Sequence, residues 1–436
     1  MGRWVRFAAP VTVFAIAPSA TAFFAILGAS WESGYWRWQG ARLNILALKV
    51  LISAGEASGD LYAAGLVNAL RKLRPEVEFF GCAGPRMQKA GVRPVVDAHS
   101  LAVVGLVEVI AHIPRIYGEY RKLLNAARAE RPELAILTDS PDFNLRVARQ
   151  LKKLGIPVFY MVAPQVWAWR KGRLPLMRRT IDRLLCIFPF EPEFFARHGI
   201  DATYIGHPLA HAEKPSADRT ELRRAFGILD DAQLVALLPG SRVGEAARHL
   251  PFLLDAVARL QREVAPAPHF IIAVPPGTLP VDSIFRERIS AASIQLVEGK
   301  TWDVLVSADV ALAASGTVTI EACLLGTPMV TFYRVNRLSW WMGKALVRVP
   351  FYSMVNLVAK RRIVCELMQD EMSAESLARE AVVLLRSEAA RGKMRRDLGE
   401  VARKLTSRQD PLEIAASVVE RRLGAPQQKE EVVHVS

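Results

Sequence analysis

A chain of 436 residues, 51% of them hydrophobic, is long enough for two domains of ordinary size with a large core. Fifty-seven Lys and Arg against 43 Asp and Glu leave a net charge of +14, which favours an anionic partner such as a phosphorylated metabolite, a membrane surface or nucleic acid. The four cysteines, Cys82, Cys186, Cys323 and Cys365, are far apart and form no Cys-x-x-Cys, which excludes a disulfide scaffold, gives no zinc spacing and fits a reduced, cytosolic setting.

The first residues differ from the rest. No charge lies between Phe7 and Trp31, Arg3 and Arg6 precede this run, and Pro10 and Pro18 interrupt it. We expect residues 1–47 to be a leader outside the catalytic fold, with a membrane anchor or a cleaved signal as alternatives. Leucine codons can serve as starts, and Leu48 opens the first strand-like run.

From there short apolar strands alternate with amphipathic helices. Strands are predicted at Lys49–Ser53, Glu78–Gly81, Leu134–Thr138, Val158–Val162 and Arg183–Phe188, with helices at Asp60–Leu73 and Asn144–Leu154. His207 to Arg219 is polar, holds two prolines and reads as a linker. The pattern then restarts, with strands at Leu234–Leu238, His269–Val274, Val310–Ala313 and Pro328–Tyr333 and helices at Gly244–Glu263 and Thr317–Leu325. Beyond Met372 the chain reads as charged helix. Such alternation implies βαβ units, parallel sheets and two Rossmann-like halves, at 48–210 and 211–423, facing a cleft. Residues 424–436 read as a disordered tail.

Three turns carry the chemistry. "SAGEASGD" (Ser53 to Asp60) ends a strand in small residues, yet holds two carboxylates, unlike a phosphate cradle. Gly55 and Gly59 are expected to let backbone approach a substrate and Glu56 to meet hydroxyls; helix capping by Glu56 and Asp60 is the alternative. "LLPGSRVGE" (Leu237 to Glu245) offers Ser241 and Arg242 to a phosphate, unless it is an ordinary βα turn. In "AASGTVTIEA", Ser315, Gly316 and Thr317 open a helix whose free N–H groups suit a diphosphate, and Glu321, one turn on, is placed to accept from ribose hydroxyls.

Together with "GCAGPRM", "VVGLVEV", "SPDFN", "APQVWAWR" and "IGHPL", these stretches run in order from Leu48 to Gln369, and the chain resembles the lipid-A-disaccharide synthase family. The resemblance implies an inverting glycosyltransferase of GT-B architecture. UDP-2,3-diacylglucosamine would be the donor and 2,3-diacylglucosamine 1-phosphate the acceptor, giving a β-1,6-linked disaccharide 1-phosphate and UDP. Of the two carboxylates in "LTDSPDFN", the resemblance puts the general base at Asp139. Asp142, at the next helix start, is expected to cap it, and Glu56 is the next carboxylate to consider. UDP would lie in the C-terminal half, with Asn356 and Gln369 of "MVNLVAKRRIVCELMQ" joining its site; Val355 stands where the family usually has proline. No cofactor and no metal are expected.

Two basic-aromatic regions fit an anionic interface. One spans Tyr160 to Arg179, with Trp167, Trp169, Arg170 and Arg173. The other runs from Arg334 to Cys365, with Trp340 and Trp341 and no acidic residue. The apolar stretch Leu101 to Tyr117 would admit acyl chains or pack in the core. We expect a cytoplasmic protein peripheral on the inner membrane, with a homodimer as one candidate assembly and no nucleic-acid partner. The alternatives are another UDP-N-acetylglucosamine enzyme of the same architecture, a peptidoglycan-type transferase or a 2-epimerase, and a nucleic-acid binder suggested by charge alone.

Overall fold

The computed structural model describes residues 29–32, 35–38, 48–101, 106–279, 283–336, 340 and 349–424. The chain forms two units, residues 1–48 and residues 49–436. In the first, strands β1 (Ala29–Glu32) and β2 (Tyr35–Trp38) pair antiparallel, Ala29 opposite Trp38.

The second unit holds two parallel sheets. The N-terminal sheet contains β3 (Lys49–Ala54), β4 (Glu78–Ala83), β5 (Arg93–Asp97), β6 (Leu134–Thr138), β7 (Val158–Met161), β8 (Arg183–Cys186) and β9 (Ala202–Tyr204), in the order β5-β4-β3-β6-β7-β8-β9. The C-terminal sheet contains β10 (Leu234–Leu238), β11 (His269–Val274), β12 (Gln295–Glu298), β13 (Val310–Ala314), β14 (Met329–Tyr333) and β15 (Cys365–Met368), in the order β12-β11-β10-β13-β14-β15.

Helices cover both faces, so the central strands are apolar along their whole length rather than alternating. Val50, Leu51 and Ile52 of β3 and Leu234 to Leu237 of β10 are essentially fully buried. Each such Leu, Ile or Val side chain contributes about 1.5–3 kcal/mol relative to exposure, which fixes these strands at the centre.

In each sheet the strand order reverses once, between β3 and β6 and between β10 and β13. At such a point the loops leaving the carboxyl ends of two adjacent strands diverge and leave a crevice. In the first half these loops are Gly55–Glu56 and Asp139–Ser140; in the second they are Pro239–Arg242 and Ser315–Gly316. All the turns singled out by sequence therefore lie at switch points.

The expected domain boundary needs one correction. The last helix, Pro411–Gly424, does not stay with the C-terminal half but packs on Ala57–Leu73 of the N-terminal half. Arg74 reaches Glu420 at 3.0 Å and Leu412 lies against Gly65. The linker is clasped by the same returning chain, His207 donating its backbone N–H to the Leu405 carbonyl at 2.9 Å. Most of the expected tail lies outside the described residues, and Gly424 ends the helix.

Among the described residues no helix is long and apolar enough to cross a membrane. The side chains of residues 101–112, the greater part of the expected acyl-chain stretch, lie outside those described, as do Arg337, Trp341, Lys344 and Arg348.

Candidate active site

Asp139 follows β6 with φ 52°, and Ser140 follows with φ 40°. Two successive non-glycine residues in the left-handed region are strained, and such strain persists only where neighbours enforce it. Here Asn144 donates to the carbonyls of Thr138 (2.9 Å) and Asp139 (3.1 Å), the Tyr160 hydroxyl donates to the Asp139 carbonyl, and Ser53 donates to Asn144 at 2.9 Å. "SPDFN" is thus a turn whose own Asn locks it.

The turn aims the Asp139 carboxylate at the start of helix Ala57–Leu73. Its Oδ1 accepts from the Gly55 N–H at 2.8 Å and its Oδ2 from the Glu56 N–H at 3.0 Å. Gly59 makes room for it: a Cβ there would lie 1.6 Å from Oδ2. Burial pushes the carboxyl up to about 7, against the two backbone donors and with the help of the Glu56 charge. Burial dominates, and the group titrates where a general base serves best.

This corrects two expectations. Gly59 approaches the protein's own carboxylate rather than a substrate. Neither Glu56 nor Asp60 caps the helix they stand on. Glu56 occupies the cap position without a side-chain cap bond. Asp60 instead accepts from the N–H groups of Arg86 (2.9 Å) and Met87 (3.1 Å), starting the neighbouring helix, and Gly84 of "GCAGPRM" leaves space for it.

Asp142 is not a cap either. Ser140 holds that position, and the Asp142 carboxylate pairs with Arg170 at 3.0 Å and with Arg173. Both guanidiniums lie over the Trp169 ring, at 4.3 and 5.7 Å. The other tryptophan of that motif, Trp167, is buried and donates to Glu191 at 3.1 Å, so it anchors the loop internally instead of facing a membrane. Sequence reading missed Glu191; a carboxyl in the first turn of a helix carries no mark of the indole it will hold. Burial pushes it up to about 7 against its Trp167 and backbone hydrogen bonds.

In the C-terminal half Ser241 donates its N–H to Glu245 at 3.1 Å, and Arg242 opens the following helix. Arg242 reaches across to Glu56 at 2.7 Å, joining the two switch points. Both side chains are about half exposed (46% and 45%), so a charged substrate can exchange for either partner. Gly316 and Thr317 are exposed at the start of helix Thr317–Leu325, with open space around Gly316. Ser315 is held by its N–H to the Phe332 carbonyl at 2.7 Å. Glu321 is half-buried; burial pushes its carboxyl up while a hydrogen bond from Trp302 opposes. Its charge reaches Tyr62 of the N-terminal half, whose phenol is pushed up by burial first and by Glu321 second. Nearby His207 is buried, packs edge-on to Tyr62 and tilted against Phe188, and is pushed down to about 3 by burial, which favours its neutral form.

Asn356 and Gln369 are buried braces rather than open ligand contacts. Asn356 donates to Val364 (3.0 Å) and Glu366 (2.8 Å) and accepts from Ile363 (2.7 Å) and Val364 (3.0 Å), which uses its whole amide. Gln369 makes two bonds with the Val335 backbone, at 2.7 and 3.0 Å. Val355 sits buried in the first turn of helix Met354–Ala359, where a proline would also fit, so its presence does not disturb Asn356. In that second basic region Arg361 finds acids elsewhere in the chain, pairing with Asp397 at 2.8 Å and Glu400 at 3.1 Å. Among the described residues no cluster of His, Cys, Asp and Glu has the composition of a metal site.

The family model described as lipid-A-disaccharide synthetase matches residues 50–417. A lipid-A-disaccharide synthase of Solibacter usitatus is 58% identical over 360 residues, 83% of this chain and 93% of that protein. Among solved structures, the glycosyltransferase of kitacinnamycin superposes with TM-score 0.57 at 16% identity, over 86% of this chain and 99% of that one. A UDP-GlcNAc 2-epimerase from Neisseria meningitidis gives 0.56 at 13%, again over 86% and 99%. These two likenesses show the GT-B fold alone; transferase and epimerase share it.

Proposed function

Because the chain belongs to the lipid-A-disaccharide synthase family, we propose that it transfers 2,3-diacylglucosamine from UDP-2,3-diacylglucosamine to 2,3-diacylglucosamine 1-phosphate, with inversion, giving the β-1,6-linked disaccharide 1-phosphate and UDP. The observation that carries the mechanism is the Asp139 carboxylate, fixed by two backbone N–H groups at one switch point and facing the other half through the Glu56–Arg242 pair. Asp139 takes the proton of the acceptor 6-hydroxyl as that oxygen attacks the anomeric carbon. Helix Thr317–Leu325 presents its N-terminal amides to the diphosphate, and Arg242, released from Glu56, stabilises charge on the departing UDP. Asn356 and Gln369 act at one remove, by holding the backbone around residues 335 and 363–366. Membrane contact is peripheral, from the cytoplasmic side, because substrate and product carry acyl chains. Incubation with both diacylated sugars and mass measurement of disaccharide and UDP tests the assignment; an epimerase would instead convert the UDP-sugar without acceptor.

Glu321 accepts the ribose hydroxyls. Glu321→Ala should weaken UDP binding by roughly 1–3 kcal/mol, the cost of unpaired polar groups. Unchanged affinity in a calorimetric titration removes Glu321 from the site.

Residues 1–47 are dispensable for catalysis. A chain starting at position 48, with Met in place of Leu48, should fold and turn over at the full-length rate. Loss of soluble, active protein on truncation would show the leader to be structural.

A further inference from the structure

The loop between β7 and helix Leu174–Thr180 is more constrained than its length requires. It begins at Val162 with φ 60°, where a β-branched residue is a genuine outlier, and reaches Arg170 with φ 55°. Between them Trp167 is pinned by Glu191. What this loop presents is a pair of guanidiniums stacked on Trp169, with one carboxylate, Asp142, between them. Two cations share one anion, so the cluster keeps net positive charge. Its anion is the most exposed member, at 71% of the side chain, while Arg173 is only 15% exposed. Arg170 shares one nitrogen, Nη1, between both Asp142 oxygens at 3.0 Å, a charge-assisted contact that a phosphate oxygen also accepts. Asp142 stands three residues from Asp139, on the turn that aims it. The Tyr160 phenol, which donates to the Asp139 carbonyl, feels the charges of Asp139, Arg173, Asp142 and Glu56 together, so the cluster and the carboxylate share one electrostatic neighbourhood.

We infer that Arg170 and Arg173, carried on Trp169, form a phosphate-monoester site that receives the anomeric phosphate of the acceptor, with Asp142 holding the pair until that phosphate replaces it. This rests on the transferase reading, and it gives the acceptor half its own anion site, separate from Arg242. Recognition of the phosphate orients the acceptor so that its far 6-hydroxyl meets Asp139.

The test compares two acceptors in mixed micelles, the 1-phosphate and its neutral 1-O-methyl analogue. Arg170→Gln/Arg173→Gln should raise KM for the phosphorylated acceptor roughly 10- to 100-fold, the loss expected for charge-assisted bonds. KM for the UDP-sugar and for the neutral acceptor should stay unchanged. Equal effects on both acceptors, or none, overturn the site. Arg170→Gln alone repeats the test if the double variant is unstable, since Arg173 then keeps its pair with Asp142. Vesicles of phosphatidylglycerol separate a lipid headgroup from the substrate: lost vesicle binding with acceptor KM unchanged assigns the pair to the membrane and overturns the proposal. If wild-type protein forms no disaccharide from either acceptor, the transferase reading fails. Calorimetric titration with the phosphorylated sugar still decides the site, because unchanged affinity in the variant sinks it and lost affinity keeps it.

Discussion

Replacing Asp139 by Asn should lower kcat by roughly 10²–10⁴, the usual range for loss of a general base, and leave UDP affinity unchanged. Asn keeps the shape of the carboxylate but cannot accept the proton. It also cannot accept from both the Gly55 and Glu56 N–H groups in the same way, since one of its two polar atoms is a donor. Thermal unfolding should therefore be measured beside the rate, and a loss of rate without a matching loss of folded protein is the expected pattern. Wild-type activity should fall on acidification through about pH 7, where burial has placed the Asp139 carboxyl. Glu191 is pushed into the same range, so the profile alone assigns nothing. The assignment comes from the variant, whose residual rate should have lost that acidic limb. Stability runs the other way. A carboxyl raised in the folded state binds its proton more tightly there, so it favours folding most below about 3.8 and the gain disappears as pH rises through about 7. Asp142→Asn should cost much less in kcat. A near-normal rate for Asp139→Asn with a crippled Asp142→Asn would reverse the two roles, and Glu56 would be the next residue to test.

The central strands were legible because burial on both faces makes them continuous apolar runs; β6, β10 and β11 begin and end where the sequence predicts. The strands β5, β9, β12 and β15 were not predicted. β5 and β12 lie at sheet edges with most residues exposed, so their side chains carry little of the apolar pattern that marks a strand. β9 has three residues, and β15 reads "CELM", a composition equally at home in a helix. The return of helix Pro411–Gly424 to the first half was also illegible, because amphipathic spacing says that a face is buried, not against what. The site was legible as a set of turns, since small residues after a strand mark close approach. The partners were not, because each lies far along the chain: Arg170 is 28 residues from Asp142 and Arg242 is 186 from Glu56. The partners of Asn356 and Gln369, the Glu366 carboxylate and the backbone of residues 335, 363 and 364, were not legible either.

Gly59→Ala should be nearly as damaging as Asp139→Asn, and for a reason that can be isolated. Gly59 lies within helix Ala57–Leu73, where Ala is ordinarily favoured over Gly by about 0.8–1.0 kcal/mol. Here the added methyl would stand 1.6 Å from the Asp139 Oδ2 and 2.6 Å from its Cγ. Oδ2 and Oδ1 are held by the Glu56 and Gly55 N–H groups, and the turn behind them is locked by Asn144 and Tyr160, so the carboxylate cannot swing aside cheaply. Overpacking of this kind costs typically about 1–3 kcal/mol, and the displaced carboxylate no longer meets the acceptor. We expect kcat to fall by roughly 10²-fold or more, as for other misplaced bases, with UDP affinity unchanged. The cause is exposed by a second background. In Asp139→Gly protein the carboxylate is gone together with its Cβ, which would stand 3.3 Å from the added methyl, and Gly59→Ala should then stabilise the fold, by up to about 1 kcal/mol. That reversal of sign is a coupling of the size touching residues show, roughly 0.5–3 kcal/mol. If Gly59→Ala destabilises both backgrounds alike, the glycine is required by another contact within the fold, and the carboxylate is not its explanation. Chemical denaturation of the four proteins of this cycle decides between them without any need for turnover.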